Sequence, residues 1–404
     1  MLSDRSPIRS LFRAGYLALA LGLGLLPWTV VAQEGSKPNT LTPAEIADGW
    51  ILLFDGESTY GWQPATKVNW QVADGVISAS EGEVGLLNTT SEFADYELKV
   101  DFRASKGCNS GVFLRTAAQP KDPGADCYEL NIAPPENPFP TGSFVKRQKV
   151  EGAGETDGWR TFEVTAVGAK FTVKLDGKQV LDYTDPKPIP RGPIGLQFNM
   201  GKVEFRNVKL KPLSLQDLFN GKDLAGWTVL KGEKEKSIYS VTADGAVNVK
   251  NGPGQLESQA RFGDFVMQLE CISNGKHLNS GIFFRSIPGE RWNGYETQVH
   301  NGFKDGDRTK PIDSGTGGIY RRQAARKVVS DDFQWFAKTL VVSGPHIATW
   351  VNGYQVNDWT DERKPDPNPR NGLRVEAGTL IIQGHDPTTD LSFRKFRAAE
   401  LPKR

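Results

Sequence analysis

The chain has 404 residues and a formal net charge of +1, from 49 Lys and Arg against 48 Asp and Glu. Balanced, mixed charge argues against nucleic acid or an acidic membrane surface as a partner. With 43 glycines, 25 prolines and ten tryptophans, the composition suits a turn-rich all-β protein long enough for two or three domains.

In chain order, Arg5, Arg9 and Arg13 lead into "AGYLALALGLGLLPW", which is too short and too glycine-rich for a comfortable membrane span. Val30-Val31-Ala32 then places small residues where a signal peptidase cuts, with Gln33 as the mature start. Residues 1–32 are therefore predicted to be a signal peptide, the alternative being an uncleaved anchor. The expected location is periplasmic or secreted, with no stable membrane span after cleavage.

The rest of the chain reads twice. "LFDGESTYGW" from Leu53 matches "LFNGKDLAGW" from Leu218, and "FADYELKVDF" from Phe93 matches "FGDFVMQLEC" from Phe262. "NSGVFLR" from Asn109 answers "NSGIFFR" from Asn279, and "TGSFVKR" from Thr141 answers "TGGIYRR" from Thr316. "FTVKLDGKQVLDYTD" from Phe171 answers "IATWVNGYQVNDWTD" from Ile347. Blocks kept in order mark a tandem duplication, with domains expected over 42–212 and 213–404. The connector "LKPLSLQD" is too short to be a flexible tether, so the two are expected to touch.

Within each copy, short alternating runs lie between Gly, Pro, Asn and Asp, as strands do between turns. "LDGKQ" and "VNGYQ" set Asp-Gly and Asn-Gly between such runs, a strong hairpin signal. The predicted fold is two tandem two-sheet β-sandwiches. Trp62 and Trp227 recur at one place in each copy and read as core. Cys108 and Cys127 fall in one copy and are open to pairing, whereas Cys271 reads as a buried thiol.

The period of two in "GYETQVH" sends Glu296, Gln298 and His300 to one face and Tyr295, Thr297 and Val299 to the other. Arg285 shares a face with Phe283, and Gln383 with His385. If these strands are neighbours, one sheet face carries an arginine, a carboxylate, amides, imidazoles and a ring, which suits sugar hydroxyls and C–H faces. All four histidines (His277, His300, His346 and His385) lie in the second copy. Trp292 sits in a loop where its ring could close over a sugar.

Together, "LFxGxxxxGW", "NSGxFxR", "GYExQ", "GGIY", the Asn-Gly hairpin and the closing "QxH…FR" resemble the 3-keto-disaccharide hydrolase domain, formerly domain of unknown function 1080. The resemblance spans nearly all of both copies. It implies concanavalin A-like jelly-roll sandwiches, exported by bacteria, acting on glycosides whose C3 hydroxyl is oxidised to a ketone.

A 3-ketone acidifies the C2 proton, so a base at C2, an acid for the leaving group and a cation for the enolate oxygen are expected. The resemblance and strand parity put Glu296, His385 and Arg285 in the catalytic roles. Gln298, Gln383, His300, Tyr295 and Trp292 are expected as sugar contacts, with Arg115 and Glu129 in the first copy. That copy departs from the pattern at "CYELN", at "TGSF" and at Asn199, where the second copy has His385.

No nucleotide motif is present, so the ketone would come from another protein. A divalent ion held by Glu296, His300 and His385 is a cofactor the residues leave open, while Asp305 and Asp307 in "NGFKDGDRTK" read as an exposed turn in preference to a Ca²⁺ loop. Two other readings stand beside the enzyme: a carbohydrate-binding protein without turnover, and a laminin G-like adhesion module. Oligomeric state is left open.

Overall fold

A computed structural model describes residues 37–404 except Ala153, Glu155 and Glu233; the expected signal peptide, 1–32, lies outside the described residues. Alternation sets the layers. In the strand Tyr96–Ala104 every second residue from Tyr96 to Phe102 is buried, as expected of a strand with one face on a core and one toward water. Strands of this kind pair antiparallel into an eight-stranded and a five-stranded sheet, and the second copy repeats both.

The small sheet of the second copy runs in the order Trp227–Val229, Gly254–Phe262, Gly378–Gly384, Ser280–Ser286, Tyr295–Val299. Its counterpart in the first copy runs Trp62–Pro64, Gly85–Thr89, Gly195–Phe198, Ser110–Leu114, Tyr128–Ile132. Neighbours in space are distant in sequence, the crossover pattern of a jelly roll. The fold is thus all-β, two tandem jelly-roll sandwiches. Both predicted hairpins form on paired left-handed residues: Asp176 and Gly177 at φ 52° and 79°, Asn352 and Gly353 at 48° and 76°.

Each sandwich buries its own aromatic core, with Tyr96, Phe162 and Phe171 in the first and Phe265, Phe284 and Phe393 in the second. Trp62 and Trp227 are equivalent core residues whose indoles donate to the carbonyls of Leu53 and Leu218. Cys271 is a buried thiol, as expected. Cys127 is a buried free thiol packed with Leu86 and Phe113, so it forms no bond to Cys108.

The two sandwiches touch over a continuous apolar seam. Val266, Val341, Ala348, Trp350 and Leu401 of the second join the core of the first. Trp350 Nε1 donates to Leu52 O at 2.8 Å, Leu52 N donates to Gly353 O at 2.8 Å, and Arg191 bonds Asp264 at 2.7 Å. Among the described residues, no helix is long and apolar enough to cross a membrane.

Candidate active site

Parity holds along Tyr295–Val299. Tyr295 and Val299 enter the core, while Glu296 and Gln298 face a cavity of about 360 Å³. Asn279, Trp292, Tyr320, Arg321, Arg370, Gln383 and His385 complete its lining. The Asn-Ser-Gly motif has a steric reason here: Gly281 lies opposite Gln298, and a Cβ on it would stand 2.5 Å from Glu296 Oε1.

Glu296 is nearly fully buried and accepts from Arg370 Nη2 at 2.9 Å. Desolvation raises its pKa above the ordinary value, and the Arg370 cation offsets only part of that rise. Arg370 also donates to Trp292 O at 2.9 Å, and its guanidinium lies 4.9 Å from the Phe283 ring centre. Trp292 packs edge-on to Phe283 at 5.9 Å. His385, just past the end of Gly378–Gly384, is partly exposed at the rim, its Nδ1 2.8 Å from Asp386 Oδ2.

Gln298 Nε2 donates to Asn279 Oδ1 at 3.0 Å and Asp313 Oδ2 at 3.1 Å. Its Oε1, like that of Gln383, is buried without a hydrogen-bond partner among the described residues. Two such acceptors on a cavity wall are satisfied when a ligand brings hydroxyl donors. Beneath the strand, the buried Lys338 donates to the carbonyls of Thr297 and Gln298 at 2.9 and 2.8 Å, and burial lowers its pKa to about 7.

The structure moves several expected site residues elsewhere. Arg285 is fully buried away from the cavity, because the ladder shifts register between Phe283 and Ser286 and Arg285 takes φ 49°. It binds the carbonyls of Gly263, Gly344 and Arg374 and the Asp264 carboxylate. Arg115, at φ 47°, makes the same set of bonds to Ala94, Gly168, Ile189 and Asp95. Both arginines are clamps within their sandwiches, and the expected Arg285 contact with the sugar face is not made.

Tyr295 is a core residue whose hydroxyl donates to Asp361 at 2.7 Å, so it is no sugar contact. His300 is buried outside the cavity lining, its Nδ1 accepting from Gly302 N at 3.1 Å. Among the described residues, no three His, Cys, Asp or Glu side chains are placed to hold a metal ion, and Glu296, His300 and His385 do not converge.

In the first copy Glu129 holds the position of Glu296, opposite Phe113 as Glu296 is opposite Phe283. Burial raises its pKa to about 7, opposed only by a hydrogen bond to Gln197. Ala125, Val145 and Asn199 stand where the second copy has Trp292, Tyr320 and His385. The first copy also has a shorter loop where the second carries Arg370. Glu129 thus lacks the companions that make Glu296 part of a site.

Arg370, Tyr320, Arg321 and Asp313 were not singled out from sequence. Arg370 lies in "KPDPNPRNG", an irregular loop without strand periodicity, whereas Tyr320 and Arg321 sit in the repeated block "TGGIYRR".

A profile of the 3-keto-alpha-glucoside-1,2-lyase-like domain matches residues 49–211 and again 214–399. The chain belongs to this family. Both sandwiches are therefore family domains, and the cavity lies in the second match. A 3-keto-disaccharide hydrolase of Bacteroides thetaiotaomicron is 34% identical over 106 residues, covering 22% of this chain and 36% of that protein. The chain thus spans about a third of the length of that curated relative. Among solved structures, a candidate glycosyl hydrolase from Parabacteroides distasonis is 23% identical, covers 44% of this chain and all of its own, and has a TM-score of 0.40. Carbohydrate-binding module CBM66 of Bacillus subtilis is 16% identical, with 37% and 95% covered and a TM-score of 0.31.

Proposed function

We propose that the second sandwich is the catalytic half of an exported enzyme that breaks the glycosidic bond of 3-keto-glycosides. The observation that carries this reading is the buried Glu296 carboxylate, bonded to Arg370 on the floor of a polar, tryptophan-walled cavity with His385 at its rim. Membership of the family supplies the substrate class, and the carbohydrate-processing role rests on it.

In the proposed reaction a 3-keto-glycoside enters with C2–H toward Glu296. The carboxylate takes that proton, and the C–H electron pair forms the enolate across C2 and C3. Its oxygen rests against the Arg370 cation, which neutralises developing charge. Collapse of the enolate restores the ketone, forms the C1–C2 double bond and breaks the bond from C1 to the aglycone oxygen. His385, oriented by Asp386, gives that oxygen its proton. Water added across the double bond completes a net hydrolysis; without it the product is the eliminated sugar. The unpartnered oxygens of Gln298 and Gln383 accept sugar hydroxyls, and the Trp292 ring covers a C–H face.

A raised pKa makes Glu296 a stronger base than an exposed carboxylate, and the Arg370 cation beside it favours the ionised form. The test is aglycone release from a 3-keto-glucoside and from its unoxidised parent, with Glu296→Gln beside the unaltered chain. Ketone-dependent release lost in the variant is the expected result. Sugar binding without release would select the non-catalytic alternative.

A further inference from the structure

Two residues of the cavity wall, Tyr320 and Arg321, stand on a tight turn beyond the edge strand Tyr295–Val299. Tyr320 N donates to Glu296 O at 2.9 Å, and the turn closes through Ile319 and Gln323, which exchange bonds of 2.8 and 3.0 Å. Arg321 lies at φ 59°. A single hairpin turn on a sheet edge has little rigidity of its own.

Its outer support comes from the first sandwich. Gln323 Nε2 donates to the hydroxyl of Tyr60 at 3.3 Å. Three residues on, Arg326 Nη2 donates to Asp55 Oδ2 at 2.8 Å, and its guanidinium sits 4.2 Å from the Tyr60 ring centre and 4.4 Å from that of Tyr354. Asp55 is itself fixed, because its other oxygen accepts from the N–H groups of Glu57 and Ser58 at 2.8 Å each. Burial alone would raise its pKa, but these bonds and the Arg326 cation hold it below the ordinary carboxylate value. A charge-assisted, partly buried contact of this kind is worth more than an exposed pair.

The arrangement runs one way. In the second copy the positions of Asp55 and Tyr60 hold Asn220 and Ala225; in the first copy the position of Arg326 holds Glu151. The copy without the Trp292, Tyr320 and His385 equivalents is the one that carries the supporting pair.

We propose that the first sandwich braces the sugar site of the second, with Asp55 and Tyr60 as positioning residues that hold Tyr320 and Arg321 against the ligand. The consequence for sugar rests on the function proposed above; the brace itself does not. The test uses the full chain carrying both Asp55→Asn and Tyr60→Phe. Arg191→Gln, which removes the 2.7 Å bond to Asp264 elsewhere on the same seam, serves as control.

Amide hydrogen exchange over residues 317–326 is measured without sugar, and KM and kcat with a 3-keto-glucoside. The brace predicts exchange of the hydrogen-bonded Tyr320 and Gln323 amides about tenfold faster and KM about tenfold higher, with kcat within about twofold. Arg191→Gln should change neither. In a Tyr320→Ala, Arg321→Ala background the Asp55 and Tyr60 changes should add nothing to KM, because they act through the turn. Unchanged exchange, a KM that stays put while exchange rises, or an equal effect from Arg191→Gln would overturn the proposal. If the unaltered chain releases no aglycone, the sugar reading falls, and the exchange comparison alone then upholds or overturns the brace.

Discussion

Glu129 and Glu296 occupy one strand position in two copies of one fold, and what separates them is a neighbouring cation. Burial moves Glu129 from an ordinary 4.5 up to about 7. Between those values the folded chain binds more protons than the unfolded one, so the stability present at acid pH is lost as pH rises through 7. Glu129→Gln should therefore unfold at higher temperature than the unaltered chain at pH 8, by up to about 3 kcal/mol, with no gain at pH 4. Thermal unfolding at the two pH values checks this. Arg370 is the cation Glu129 lacks. Arg370→Ala should lower turnover by about 10²-fold and, by removing the cation that opposes desolvation, move the acid limb of the pH–rate profile to higher pH. Arg285→Ala belongs to another class: it strips partners from three carbonyls and Asp264, and should cost about 3–5 kcal/mol of stability.

Strands are where the sequence is most legible, and their irregularities are where reading stops. Period-two parity correctly separates Glu296 and Gln298 from Tyr295 and Val299, and the Asp-Gly and Asn-Gly hairpins form where expected. Parity fails at Arg285 because one bulged residue reverses every side chain after it, and no residue type in "NSGIFFRS" announces the bulge. Arg370 and Arg321 escape because loops bring them in, through contacts local in space and distant in sequence. The glycine of Asn-Ser-Gly is legible only afterwards, as the space Glu296 needs. Gly281→Ala should cut turnover by about 10²-fold, since a displacement of about 1 Å at the reacting group has that scale of effect, while the chain stays folded. Circular dichroism beside the rate measurement separates the two outcomes.

At the scale of the molecule, duplication has produced unequal halves joined by a shared core. Trp350 and Val341 of the second sandwich pack into the core of the first, so residues 213–404 alone would expose apolar surface buried in the whole chain. That fragment should unfold at a lower temperature than the full chain or aggregate on expression, measurable by thermal melting and size-exclusion chromatography. The division of labour follows: one copy presents the cavity with Glu296, Arg370 and His385, the other packs against it and supports its wall.

The most direct measurement is aglycone release by the full chain from a 3-keto-glucoside and its unoxidised parent, repeated with Glu296→Gln. The account predicts release from the keto form alone, reduced about 10²-fold or more in the variant. Release from neither sugar, or a variant as active as the unaltered chain, would contradict it.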